Sequence, residues 1–248
     1  MEPAFEQYET WNVVLGEMFF GPASSQKLLY LDTNDELWKR VGLEAAPKSS
    51  NPKRHFVSSV RQTLALNSSR IFRRHEDALN EWAATGKGYP PFTGLLVLFV
   101  LAAEDMVSDE QYSANNYYSR LSDLLGISCD KEKGRLQNQF RKKSPVFWQS
   151  LNEWQNLNNG TYGLPTAYGY GATKYISVPI SQALVRETDR RRLPEFFNLF
   201  GLQPGQSVPT NDMESLLDNW ILQSGVGSNL KRIWAGSREA RARVSDVV

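Results

Sequence analysis

Apolar side chains recur every three or four positions over residues 4–20, where Phe5, Tyr8, Trp11, Leu15 and Met18 share one face. That period predicts an amphipathic helix, ended by Gly21 and Pro22. Lys27–Leu31 (KLLYL) is short and is followed by the turn residues Asp32, Thr33 and Asn34, which predicts a strand. Thr33 and Glu36 have the capping-box spacing, so a short helix follows to about Val41 and stops at Gly42. Pro47, Ser49, Ser50 and Pro52 mark residues 42–53 as a loop. Helices are expected over 54–66 and 75–84.

The segment 92–106 is apolar on all sides and is expected to be the central helix of a first lobe. Ser108 and Gln111 repeat the capping pattern before Tyr112, Tyr117, Leu121, Leu124 and Leu125, and Gly126 closes that helix. Ser144 followed by Pro145 predicts a further start, with Phe147, Trp148, Leu151 and Trp154 as the apolar face. NNGTYGLPTAYGYG, residues 158–171, breaks the pattern and sets a boundary. Beyond it a strand is expected at Lys174–Val178, then helices over 179–192, 195–200, 211–223 and 230–248. The predicted fold is mainly α and irregular, with one or two short strands. A helical lobe (1–157), a Gly/Tyr-rich loop (158–173) and a smaller helical lobe (174–248) form one unit. Leu230, Ile233, Ala240, Val244 and Val248 carry an apolar stripe to the last residue, an expectation that the chain is part of a longer protein.

Composition sharpens this picture. Seven Trp, ten Tyr and twelve Phe predict an aromatic core in which polar ring tips need partners. Lys and Arg number 28 against 27 Asp and Glu, so any attraction to nucleic acid must be local. The single cysteine, Cys129, allows no internal disulfide, and a cytoplasmic setting is the default. The start MEPAFEQYETW is acidic, unlike a leader peptide. The longest apolar run, Phe92–Ala103, falls short of the ~20 residues of a membrane-spanning helix.

Few residues suggest catalysis. The two histidines, His55 and His75, lack a Gly-x-Ser-x-Gly turn to serve; His55 is expected at the surface and His75 at the start of an exposed helix. Asp32, Asp35, Glu36 and Lys39 bear on a metal-dependent nuclease, but Glu36 and Lys39 stand three apart on a helix where such a site wants them two apart on a strand. Glu76, Asp77 and Glu81 read as a solvated helix face. Gly169–Lys174 is glycine-rich but precedes a strand, so it is a flexible loop and no phosphate cradle. No catalytic residue, metal or cofactor is expected.

Charge, by contrast, is segregated. Residues 52–74 hold Lys53, Arg54, Arg61, Arg70, Arg73 and Arg74 with no acid, and residues 130–143 hold six basic and two acidic side chains. Within the second, Leu136 and Phe140 form a thin apolar stripe, leaving cations outward. The candidate nucleic-acid-binding residues are Arg70, Arg73, Arg74, Arg135, Arg141, Lys142 and Lys143, since cations that displace counterions give salt-sensitive affinity. The Tyr-rich loop at 162–170 is a candidate for base stacking. The competing reading is internal neutralisation by the acidic segments 2–17 and 104–110.

YPPFTGLLVLFVLAAEDM and NNYYSRLSDLLG, together with YISVPISQALVRETDRRRLPEFF, resemble the N-terminal part of large multidomain proteins found near bacterial antiviral defence genes. The resemblance covers about half the chain, the strings lying between residues 89 and 197, and rests on no catalytic motif, so no site residue transfers. The resemblance implies a recognition or assembly module whose effector lies elsewhere. The leading expectation is therefore a helical interaction module that docks on a protein partner or on the remaining domains of a parent chain. A DNA- or RNA-binding domain using segments 52–74 and 130–143 is the alternative, with the nuclease third.

Overall fold

The computed structural model describes residues 3–21, 31, 33–85, 89–158, 174–203, 206, 208–223 and 226–247, apart from the side chains of 65–71, 74, 75, 83, 174, 175, 187 and 223. Twelve helices follow one another among these residues, with no strand. They are α1 (Pro3–Phe20), α2 (Asp35–Ala45), α3 (Pro52–Thr85), α4 (Thr93–Met106), α5 (Ala114–Leu124), α6 (Asp130–Leu157), α7 (Lys174–Leu184), α8 (Glu187–Arg190), α9 (Leu193–Leu199), α10 (Thr210–Gln223), α11 (Ser228–Gly236) and α12 (Arg238–Ser245). None is long and apolar enough to cross a membrane.

Helix α4 is buried at every position from Thr93 to Ala103, as its uniform apolarity predicts. It can be so only because neighbours cover it all round: α1, α5 and α7 pack on it. Each fully buried leucine contributes about 1.5–3 kcal/mol relative to exposure. The helix has no side-chain cap of its own, and Asn12 of α1 supplies one. Asn12 accepts from the Gly94 N–H (2.8 Å) and donates to the Pro91 carbonyl (2.7 Å). Outside this centre, α1 carries α2 and α3, while α7 carries α12, which in turn holds α10 and α11. Buried side chains from α1 to α12 join in one core.

Aromatic rings fill the N-terminal part of that core. Trp11 meets Trp38 at 6.2 Å and Phe56 at 5.7 Å, and its indole N–H donates to His55 Nδ1 (3.2 Å). His55 is thus half-buried and engaged, contrary to the surface position expected of it.

Several boundaries differ from expectation, each for a physical reason. Lys174–Val178 is the first half of α7, not a strand; five residues are too few to tell one period from the other. The other expected strand, at 27–31, lies outside the described residues except for Leu31, which is not in a strand. Helices 54–66 and 75–84 are one helix, α3, begun by Pro52 with Asn51 accepting from the Arg54 N–H; His75 sits in its interior. Asn34, not Thr33, caps α2, while the Thr33 hydroxyl donates to Glu104. Gly42 lies within α2, where a Cβ would come 2.4 Å from Pro52, so its role is close approach of two helices. Ser113, not Ser108, caps α5. Pro145 sits inside α6, which runs on through buried Phe147 and Trp148; their packing offsets a proline cost of about 3 kcal/mol. The helix expected over 179–192 stops at Leu184, and α11 and α12 divide at Ser237.

Candidate nucleic-acid interface

The two basic segments fall on α3 and α6. These helices lie side by side and run the same way, since Phe72 meets Phe140 (5.4 Å) and further along Trp82 meets Trp154 (6.5 Å). Where their N-terminal parts pass the α5–α6 loop there is a cavity of about 210 Å³, lined among others by Arg61, Leu64, Gly126, Glu132, Arg135 and Leu136. One arginine comes from each segment. Neither has a hydrogen bond or ion pair with another described residue.

The loop wall of this cavity is set by the end of α5. Ile127 N–H donates to the Ser122 carbonyl (3.0 Å) and Gly126 N–H to that of Asp123 (2.8 Å), the paired bonds of a Schellman ending. Gly126 takes φ +65°, and a Cβ there would lie 2.5 Å from Arg61 Nη1. Glycine therefore serves twice: it permits the left-handed turn and leaves room for the guanidinium against bare backbone.

The candidate cations have different fates. Arg73, Arg135 and Lys142 are exposed, without partners among the described residues. Arg141 is held elsewhere, 4.7 Å over the Tyr118 ring and donating to Asn115 Oδ1 (3.2 Å). Burial pushes the Tyr118 phenol up against the opposing pull of its Ser144 hydrogen bond and the Arg141 charge. Lys143 pairs with Glu76, so Glu76 is a partner and not part of a freely solvated face. The side chains of Arg70 and Arg74 lie outside the described ones. Arg61, counted in the segment but not singled out, proves central because Gly126, distant in sequence, makes its seat.

Internal neutralisation is real but partial. Lys53 pairs with Glu104 (3.7 Å) and Lys133 with Asp123 (2.9 Å). Two other acids of the 104–110 segment pair away from the basic helices, Asp109 with Arg120 and Glu110 with Arg232, while Asp105 feels the Lys53 charge. Burial works to raise Asp109, yet hydrogen bonds from Arg120 and Asn116 outweigh it and hold the carboxyl below its ordinary range.

Asp35, Glu36 and Lys39 point into solvent from α2, and Asp32 lies outside the described residues, as do the loops at 162–170 and 169–173. Among the described residues no three His, Cys, Asp or Glu side chains come together as a metal site. No protein-family model matches the chain, and neither a curated protein nor a solved structure matches it.

Proposed function

We propose that the chain is a helical binding module whose α3–α6 face engages the phosphate backbone of nucleic acid. The observation that carries this reading is the convergence of Arg61 and Arg135, from two segments far apart in sequence, on one cavity without an ion partner for either among the described residues. Arg73 and Lys142 add exposed cations on the same two helices. An interaction module docking on a protein was the other expectation. The large apolar side chains left exposed are Val13, Leu43, Val146, Leu157, Leu199 and Leu222, and they come from five different helices. A stable protein interface needs about 800 Å² per partner, so converging cations support a polyanion better than these support an apolar face.

The size of the effect follows from counterion release. Arg61 and Arg135 converging on one phosphate, with Arg73 and Lys142 on one each, neutralise three phosphates of a single strand and give a log–log salt slope near −2.1, so raising salt from about 50 to about 200 mM weakens binding roughly 20-fold. Fluorescence anisotropy with labelled oligonucleotides measures this directly. Binding near 50 mM salt that weakens on that scale is expected; no binding at low salt, or binding indifferent to salt, refutes the reading.

A further inference from the structure

We infer that the cavity between Arg61 and Arg135 is a phosphate-binding subsite that accepts a backbone phosphate of single-stranded nucleic acid in preference to duplex, an inference that rests on the reading of the α3–α6 face just given. Volume limits the occupant first. At about 210 Å³ the space is below the ~300 Å³ at which small-molecule sites begin, so it suits one small charged group such as a phosphate.

The walls suit that group. Arg61 and Arg135 both line the cavity, and the planar fork of arginine matches phosphate oxygens in pairs. Leu64 and Leu136 are buried side chains of the lining, and an apolar wall weakens screening of charges beside it. Gly126 keeps the Arg61 guanidinium from being pushed out of place. Glu132 is the one carboxylate among the lining residues, and its charge opposes an anion.

Recess then decides the strand state. A duplex holds its phosphates on a cylinder stiff over ~150 base pairs, so one of them enters a recess only if the helix deforms. A single strand turns a phosphate inward freely.

The test uses the full chain with a fluorescein-labelled oligothymidylate of about twenty nucleotides, a duplex of equal length, and inorganic pyrophosphate as competitor. The wild type is expected to bind the single strand roughly tenfold more tightly than the duplex, and pyrophosphate to compete. Arg61→Gln with Arg135→Ala should lower single-strand affinity about tenfold and flatten the salt slope by about 0.7, the value of one phosphate. Glu132→Gln should tighten binding several-fold. Arg135→Ala alone keeps the test sound if the double variant unfolds, because the residue is exposed on a helix and alanine favours that state. Unchanged affinity and slope in a folded double variant overturn the subsite and leave the wider face standing. Equal or tighter duplex binding overturns the strand preference. Pyrophosphate binding without oligonucleotide binding, or neither, overturns this inference and the function together.

Discussion

Helix α4 and the α3–α6 face treat polar groups in opposite ways. Where α4 enters the core, Asn12 meets both the Gly94 N–H and the Pro91 carbonyl, and the Thr93 hydroxyl donates to the Pro90 carbonyl (2.8 Å). Along α3 and α6, Arg61, Arg73, Arg135 and Lys142 keep charges that no described residue answers. The difference lies in solvent. A buried polar group left without a partner costs about 1–3 kcal/mol, so the groups at the entry of α4 pair with one another, although Tyr112 Oη, Trp148 Nε1 and Ser181 Oγ stay buried with no partner among the described residues; an exposed cation keeps its water and can wait for a ligand. A packed centre thereby holds an unsatisfied surface in a fixed arrangement.

The comparison is broken most forcefully from the core side. Leu98 is completely buried on α4, and Leu98→Ala should cost ~2–5 kcal/mol in urea unfolding. A loss below ~1 kcal/mol would mean that α4 is not the packed centre described. Asn12→Ala comes next. It strands the Gly94 N–H and the Pro91 carbonyl in the core, and should cost about 1–3 kcal/mol. Asn12→Asp, keeping an acceptor for Gly94 but no donor for Pro91, should be harmful for a different reason, the burial of a charge. Wild-type stability in either variant would show that water replaces the amide, and that the core does not depend on its own pairing.

How much of this was legible in sequence follows the same divide. The run at 92–106 announced α4 because no face of it was polar. Ile176 and Val178 misled by belonging to a five-residue run too short to show a period, and only contact with α4 and α12 makes it a helix. The gap foreseen between two helices at 67–74 closed because Phe72, flanked by arginines, still packs on Phe140 and Phe147. Pro145 read as a start because Ser144–Pro145 is a start signal by itself, and only the packing of Leu136 and Phe140 before it together with Phe147 and Trp148 after it carries one helix through. In the interface, both basic segments were visible as composition. Which cations stay free was not, since that depends on Glu76 reaching Lys143, on Tyr118 lying under Arg141 and on Gly126 beneath Arg61.

Gly126→Ala sharpens the comparison by disturbing both properties at one position. An L-residue at φ +65° costs about 1–2 kcal/mol, and the added methyl must displace the Arg61 guanidinium. Stability should fall by that amount while oligonucleotide affinity falls as it does for Arg61→Gln. A stability loss with affinity untouched would detach Arg61 from ligand binding.

The smallest stability effect is expected from Arg135→Glu combined with Lys142→Glu, and there the contrast is sharpest. Reversing Arg141 or Lys143 would confound the measurement, because the first stacks on Tyr118 and the second pairs with Glu76. Arg135 and Lys142 have no such ties and lie two turns apart on one side of α6, so the double reversal should change unfolding free energy by no more than about 0.5 kcal/mol. Each reversal removes one cation and adds one anion beside the backbone. Single-strand binding should therefore fall beyond the loss of the Lys142 phosphate contact, which by itself lowers the salt slope by about 0.7. Paired melts and anisotropy titrations on the same preparation decide it: retained affinity with an unchanged melt would show that ligand binding does not use these exposed cations of α6, and the distinction between the paired entry of α4 and a waiting surface would lose its functional meaning.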